Sequence, residues 1–587
     1  MNVHRALSPL AATAALGLLL AAFPVGCGAT PSAPPQVGPP AEATPSTPEV
    51  TTTATETPPA APAAPRHRFG VATESASATR VVMDVLGKGG NAVDGAIAGL
   101  LAIGVSQPVS SGIGGGGFAL VWNAKERKAT VLDFRETAPS GLNPADYVTR
   151  PPPENKRGVM VGVPGEVAGI AEMHARWGKL AFTDLVRGAA DLADKGFPLS
   201  AHLARGLKWT EKWVLSTPRY SFFHPAGKLA SPGDQIRNPA LAATLRRIGA
   251  EGKDAFYQGK IAADVLATAR AGGSRMSAAD IESYKVIERE PLTTTWEGNR
   301  IYTMPPPSSG GLMLLEALHM HSKAELSALG YGTGAYVHLL AETLRGAIAD
   351  RVHYIGDPSS MTMDPMKLAA PARMKARRAR ISMDSTMPPA GFPITEAGTS
   401  HLVVIDAEGN VVSATSTVNN PFGAQLVTEG GFVLNDELND FTSEKIAKLF
   451  NLKTPASTPR AGARPVSSMT PTLVLRDDQP VLALGGSGGM RIATGTTQIT
   501  LANLVFGRAI DEAIADWRVE TPAMGGLWID PSVPPDVVQD LEKRGEKVDT
   551  SKLNVSAIQG LTVDYTNGGR VIRAAADPRK GGTGAVE

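Results

Sequence analysis

Two apolar, β-branched runs, residues 401–405 (His-Leu-Val-Val-Ile) and 411–415 (Val-Val-Ser-Ala-Thr), flank the polar stretch Asp406-Ala407-Glu408-Gly409-Asn410. Strand-like runs on either side of a short turn sequence read as a β-hairpin. The turn chemistry sets the pairing. Asp406 suits the first position of a type I turn and Gly409 the fourth. Gly409 can then take the left-handed conformation of a three-residue loop with a bulge. This register pairs Asp406 with Asn410 and carries Thr399 opposite Thr417, with Asn419 diagonal on the same face. A two-residue loop would slip the register and turn Thr417 away. The expectation is a hairpin whose open end gathers Thr399, Thr417 and Asn419. The plain alternative is that these are ordinary strand threonines.

The rest of the chain sets outer bounds. At 587 residues it can hold several average domains, and 43% hydrophobic content supplies a sizeable core. A net charge of +1 gives no broad basic field, so nucleic acid is not expected as a partner. A lone cysteine, Cys27, excludes an intrachain disulfide framework. The histidines show no ligand spacing with it. His319-Met320-His321 comes nearest to a metal motif and reads as helix surface or core, so no metal is expected.

Residues 1–27 have the form of a signal peptide: a basic start (His4, Arg5), an apolar run around 11–23, then small residues before Cys27. The run is short for a membrane span. Pro24-Val25-Gly26-Cys27 resembles a bacterial lipobox, with Pro24 in place of the usual leucine-type residue. Lipidation of Cys27 is expected, against plain secretion or an incidental thiol. Residues 28–66, rich in Pro, Ala and Thr, lack the large apolar side chains a core needs and read as a disordered, semi-extended tether. The protein is thus expected to be exported, periplasmic or on the cell surface, and anchored to a membrane through Cys27.

Helical spacing marks 78–86 and 92–105, broken by the stop-and-restart signal Gly89-Gly90-Asn91. The block 110–118 is glycine-rich, but no Gly-Lys-Ser/Thr follows and a strand (118–122) does, so it reads as close backbone packing in a sheet and not as a phosphate loop. Arg135 stands after an apolar strand, where it could pair with Asp133 or Glu136 on the surface. The turn-to-helix stretch 162–169 reads as structural. Residues 170–395 read mostly as helices (179–195, 238–248, 258–271, 311–320, 335–352) with polar loops. The basic run Lys375–Arg380 reads as solvated helix surface. After the hairpin, an apolar strand from Gly431 runs into an acidic turn holding Glu437 and Asp440, which lacks the ligand spacing of a calcium loop. Ser467 and Ser468 stand at the entry of a second hairpin (472–475, 481–484), where serines usually cap backbone groups. Gly485-Gly486-Ser487-Gly488-Gly489 then leads into a helix at 492–506, a turn whose N–H groups can bind an anion.

Thr399-Ser400-His401 opening a strand, followed by Thr417-Val418-Asn419, resembles the γ-glutamyltransferase (γ-glutamyl transpeptidase) family of N-terminal-nucleophile hydrolases. The resemblance runs from about Val71 to the C-terminus and includes the glycine block and Asp133-Phe134-Arg135-Glu136. It implies an α+β fold, a four-layer αββα sandwich built jointly by two autoprocessed chains, residues 67–398 and 399–587. It implies self-cleavage between Gly398 and Thr399, with Thr399 as the new N-terminal nucleophile, Thr417 orienting it, and Gly488 and Gly489 forming the oxyanion hole. Arg135, Ser467 and Ser468 would grip the substrate α-carboxylate, and Asn419, Glu437 and Asp440 its α-ammonium. The substrates implied are glutathione and other γ-glutamyl compounds, with water or amino-acid and peptide amines as acceptors and no cofactor. Relatives acting on glutaryl β-lactam side chains, which lack that amine, tend to lose the aspartate; its retention as Asp440 argues for γ-glutamyl substrates. A loop over the cleft is expected at 442–463. Family members often carry a tyrosine there, but Phe450 is its only aromatic residue here. The segment before Gly398 is expected to be loose. The rivals are a glutaryl- or cephalosporin-type acylase on the same scaffold, and an inactive ligand-binding surface lipoprotein.

Overall fold

The computed structural model describes residues 66–147, 152–387, 398–453, 455–521, 526–551, 556–565 and 569–587. The signal segment with Cys27, the tether up to residue 65, and residues 388–397 ahead of Gly398 lie outside them. The strands that matter here are β1 (Gly70–Thr73), β2 (Gly116–Asn123), β3 (Lys128–Phe134), β4 (Ile287–Arg289), β5 (Leu292–Trp296), β6 (Asn299–Thr303), β7 (Gly398–Ile405), β8 (Val411–Asn419), β9 (Thr472–Arg476), β10 (Gln479–Ser487), β11 (Ala557–Asp564), β12 (Val571–Ala576) and β13 (Thr583–Val586). The helices that cover them are α1 (Ala76–Gly87), α2 (Ala92–Ser106), α3 (Glu166–Trp177), α4 (Phe182–Lys195), α5 (Pro239–Glu251), α6 (Gly310–Met320), α7 (Gly334–Tyr354) and α8 (Arg491–Phe506).

The hairpin forms in the register its turn dictates. Ile405 lies opposite Val411 and Thr399 opposite Thr417. The turn closes through Asp406 N–H to Asn410 O at 3.1 Å and Gly409 N–H to Asp406 O at 3.2 Å, with φ of 85° at Gly409. The pairing shifts between Thr417 and Asn419, so Asn419 comes to lie opposite Gly398. Asn419 adopts a φ of 72°, a region that asparagine enters more readily than most residues. Asp406 does a second job: its carboxylate accepts the Ala92 N–H at 2.9 Å, placing an anion at the N-terminus of α2.

Two sheets carry the fold. The first has the order β13-β1-β7-β8-β2-β3-β4, the second β12-β11-β10-β9-β6-β5. β10 packs against β7 and β8, which brings the sheets face to face. Side chains alternate between two cores. Val403, Ile405, Phe118 and Leu120 fill the space between the sheets. Leu402, Val404, Ala119 and Val121 point to the helix side. Because both faces are buried, the strands read as nearly unbroken apolar runs. α2 lies on β7 and β8, α3 on β2 and β3, while α8 covers β10 and β11 with α6 packed on α8. The result is a four-layer αββα sandwich.

Both sheets draw strands from either side of Gly398. The β5–β6 hairpin was hidden because its run Leu-Thr-Thr-Thr-Trp carries little apolar weight; its turn, Glu297-Gly298, has the positive φ values (49° and 75°) that a two-residue hairpin loop requires. The stretch from Gly431 to Leu434 is not a regular strand; it contributes only a bridge between Val427 and Val433. The basic run is only partly solvated. Arg377 donates to Glu316 at 3.1 Å and pairs with Asp350, and Arg378 donates to Glu325 at 2.7 Å. Lys375 and Arg380 are exposed. His319 and His321 are held by threonine hydroxyls at 2.6 and 2.8 Å, inside the helix packing.

The glycine block is a close-packing device. A Cβ on Gly115 would lie 1.9 Å from Thr417 O, and one on Gly117 1.9 Å from Thr415 O. Among the described residues no helix is long and apolar enough to cross a membrane.

Candidate active site

Thr399 and Thr417 share the face that looks into the space between the sheets, as do Val403 and Val411 farther along. At the open end of the hairpin that space widens into a cavity of about 490 Å³, lined by Thr399, Thr417 and Asn419. A cavity of this size falls within the range of small-molecule sites. The backbone around it is strained: Asn419, Phe422 and Gln425 all have positive φ, at 72°, 59° and 57°. Such residues cluster at sites where the surroundings over-determine the conformation.

The two threonines form a directed chain of hydrogen bonds. Thr417 Oγ1 donates to the Gly398 carbonyl at 2.6 Å and accepts the Asn419 N–H at 2.8 Å. Its single proton is thereby committed. The 3.3 Å contact between the hydroxyls must then run from Thr399 to Thr417. The nucleophile candidate points its proton at a group that is itself bonded to the carbonyl preceding Thr399.

Of the other predicted site residues, Arg135, Glu437, Asp440, Ser467, Ser468 and Gly489 also line this cavity, while Gly488 stands next to Gly489 without lining it. Arg135 is not on the surface. It is 1% exposed, pairs with Glu437, donates to Asp440 Oδ2 at 2.8 Å, and donates to Val466 O at 2.9 Å. Burial opposes its charge, but Glu437 and Asp440 outweigh that and hold the guanidinium above its ordinary pKa. Asp133 instead takes Arg289, at 2.7 Å, and Arg464. Glu437 is locked against Arg135, whereas the Asp440 side chain is 30% exposed. Asn419 Nδ2 donates to Asp436 O at 3.2 Å and to Asp440 Oδ1 at 3.4 Å, so Asn419 and Asp440 work as one polar unit. Gly488 and Gly489 follow β10 with φ of 121° and 64°, conformations that a side chain would strain.

Arg351, in α7, was missed at the level of sequence. It is a second buried guanidinium in this cavity, donating to Ser309 Oγ at 3.0 Å and to Ser468 Oγ at 3.3 Å. Burial lowers it to about 10, with Asp440 opposing the shift, so it stays a cation at neutral pH. The signal was there: Asp350-Arg351 puts two charges into a helix whose other positions are mostly buried. Asp436 was also passed over. Burial raises its carboxyl to about 6, and it accepts the Asn420 N–H and Nδ2 at 3.0 and 2.6 Å. The 442–463 segment flanks the cavity with Thr442, Ser443 and Ile446, while Phe450 does not line it and packs on the cluster of Met313, Ile348, Val352 and Met490.

One group of described residues has the donor types of a metal centre: His338, Glu342 and Glu546. Arg345 already fills it, pairing with Glu342 and donating to Glu546 at 2.9 Å, so a cation stands where an ion would.

The chain was compared with known proteins. The gamma-glutamyltranspeptidase family model matches residues 78–587. The glutathione hydrolase proenzyme of Bacillus subtilis (strain 168) is 34% identical over 539 residues, covering 87% of this chain and 90% of that protein. Among solved structures, a cephalosporin acylase from Bacillus halodurans superposes with a TM-score of 0.79 at 25% identity, covering 91% of this chain and 99% of that one. Helicobacter pylori γ-glutamyltranspeptidase gives 0.51 at 33% identity, covering 54% of this chain and 92% of that one. With a family match over most of its length and a site whose threonines, arginine and acids sit in one cavity, this chain belongs to the gamma-glutamyltranspeptidase family.

Proposed function

We propose that the protein is an autoprocessing γ-glutamyltransferase and glutathione hydrolase. The observation that carries this reading is the pairing of Arg135 with Asp440 beside the Thr399–Thr417 pair. An α-amino-acid head is a zwitterion, and a cation and an anion held side by side are its complement. In the free protein the two satisfy each other. A bound γ-glutamyl head exchanges that contact for its own, its carboxylate on Arg135, Ser467 and Ser468, its ammonium on Asp440 and Asn419. Glu437 keeps Arg135 in place.

Thr399 Oγ first attacks the Gly398 carbonyl, which Thr417 polarises. The Gly398–Thr399 C–N bond breaks as the ester forms, which frees the Thr399 α-amine, and water then hydrolyses the ester to give the Gly398 carboxylate and the free Thr399 hydroxyl. The name proenzyme carried by the Bacillus subtilis relative is consistent with such a cut. An α-amine has a reference pKa near 8, suited to a base at neutral pH. Thr399 Oγ next attacks the γ-amide carbon, the amine takes its proton, and the Gly488 and Gly489 N–H groups receive the oxyanion. The leaving amine departs, and water or an amino-acid or peptide amine releases the glutamyl group. The two products of self-cleavage stay together, because both sheets are built from both.

The acylase reading has the higher fold similarity on its side, but a glutaryl group has no ammonium for Asp440. Turnover of γ-glutamyl-p-nitroanilide against glutaryl-p-nitroanilide separates the two; faster glutaryl cleavage overturns our reading. Self-cleavage is read on a gel: the wild type splits at Thr399 and Thr399→Ala stays whole. A wild type that never splits supports an inactive lipoprotein. Export and anchoring through Cys27 belong to the same proposal, and mass spectrometry of the mature protein reads the modification and the internal cut together.

A further inference from the structure

Lys580 stands in the loop between β12 and β13, far in sequence from every residue of the candidate active site. Its ammonium donates to the Thr399 carbonyl at 2.9 Å, to Ser487 Oγ at 2.7 Å and to Glu74 Oε2 at 3.2 Å. It therefore ties together the residue that becomes the N-terminus, the last residue before the Gly488-Gly489 turn, and a buried acid at the end of β1. The Lys580 side chain is 13% exposed and Glu74 1%. A lysine drawn this far out of water needs a reason beyond surface solubility.

We infer that Lys580 is a positioning residue for the nucleophile. It fixes the Thr399 carbonyl against the oxyanion turn and sets a cation beside the amine that self-cleavage creates, so that this amine is free of its proton near neutral pH. The inference rests on the function proposed above. An extended residue keeps its own N and O within about 4 Å of each other, which places the ammonium within about 7 Å of the amine. At that range in a partly buried site, a like charge lowers an amine by about one unit or more.

Other charges face the same point, and they set the sign. Glu74 is the counter-ion, bonded to the Lys580 ammonium, while it is the ammonium that bonds the Thr399 backbone directly. Burial raises the Glu74 carboxyl, against the pull of Lys580, which weakens its opposing field. Asp577 stands beside Glu74 and is engaged by Arg518 at 2.5 Å and by Arg579. His202, which contacts Ser110 Oγ at 3.3 Å, is held well below its usual value by burial and by Lys580, and is neutral. His401, on β7 itself, is buried and lowered to about 3, also neutral. Across the cavity Asp440 and Glu437 are matched by Arg135, with Arg351 beside them. Lys580 is the cation that touches the Thr399 backbone.

The test compares wild type, Lys580→Met and Lys580→Arg as processed proteins. The pH dependence of kcat/KM for γ-glutamyl-p-nitroanilide is measured together with the pH dependence of acylation of the Thr399 α-amine, read by peptide mass spectrometry. The inference expects the acid limb of Lys580→Met, and the labelling curve with it, to move up by about one pH unit, with activity recovering at pH 9. Lys580→Arg returns both curves to wild type. If Lys580→Met does not fold, the Glu74→Gln/Lys580→Met double variant, which leaves no unpaired buried acid, is measured in its place. Coincident acid limbs and labelling curves, or a loss of activity equal at every pH, overturn the inference. A wild type that labels at Thr399 but does not turn over the substrate overturns the functional reading instead, and its labelling curve still tests Lys580.

Discussion

Thr417 Oγ1 sits 2.6 Å from the carbonyl oxygen of Gly398, the oxygen of the peptide bond that precedes Thr399. The hydroxyl of Thr399 donates to the same Thr417 oxygen, so one side chain accepts a hydrogen bond from the proposed nucleophile and donates one to the carbonyl it would attack. Removing this hydroxyl should slow self-cleavage by about 10- to 100-fold, the effect of one lost buried hydrogen bond in the transition state. Thr417→Val should show that delay in a gel time course for the chain beginning at Thr399, and Thr417→Ser should not. Equal rates for the two variants would remove Thr417 from the cleavage step.

Asp440 is the more exposed carboxylate of the proposed binding set. Asp440→Asn keeps its shape and loses its charge, which for a charge-assisted contact lowers kcat/KM for γ-glutamyl substrates by about 10- to 100-fold. Glutaryl-p-nitroanilide, with no ammonium, should be affected far less. The ratio of the two specificity constants is the measurement, and an unchanged ratio would mean that Asp440 does not meet the ammonium.

Arg351 reaches both Ser309 and Ser468 through its single Nε–H. A lysine keeps the charge but has no N–H at that point of the side chain. Arg351→Lys is expected to raise KM by about tenfold with a smaller change in kcat, since Ser468 loses its orientation while the threonines keep theirs. Steady-state kinetics decide this, and a pure kcat effect would reject it.

Glu166 is buried, accepts the Ser416 hydroxyl at 3.0 Å, and is raised by burial to about 8 from 4.5. Between those two values the folded state holds a proton that the unfolded state has released. Stability therefore falls as pH rises through this window and is flat above it. A shift of this size corresponds to about 5 kcal/mol as an upper bound. Glu166→Gln removes the titration, so chemical denaturation at pH 5, 7 and 8.5 should show the variant gaining on wild type as pH rises. Parallel curves would show that Glu166 does not titrate in that range.

Gly115→Ala drives a Cβ to 1.9 Å from the Thr417 carbonyl oxygen, backbone that cannot yield. The expected result is insoluble protein, or soluble protein that does not self-cleave. Gly87→Ala, with nothing within 4 Å of its added carbon, is the matched control and should express and process like wild type.

The hairpin was legible because its information is local. Asp406 and Gly409 choose the turn, the turn chooses the register, and the register puts Thr399 across from Thr417; no distant residue is consulted. The helix break at Gly89-Gly90-Asn91 and the glycine block were readable for the same reason. The β5–β6 hairpin was readable in its turn but hidden in its threonine-rich strands. The family resemblance supplied the rest of the site set.

What the tertiary structure decided is which charges meet. Arg135 lies within two residues of Asp133 and next to Glu136, yet it pairs with Glu437 and Asp440. That choice follows from burial: only residues carried into the same dry space can neutralise a guanidinium withdrawn from water. Nothing local in sequence marks the partners of Arg351, on a helix, or of Lys580, in a C-terminal loop. The packing of α7 and the return of the chain after β12 brought them beside Ser468 and Thr399. The sequence by itself determined the place of Thr399 on a strand opposite Thr417; the sandwich of two sheets, each woven from both halves of the chain, determined the electrostatic surroundings of that threonine, because long-range burial is set by packing and not by neighbours in sequence.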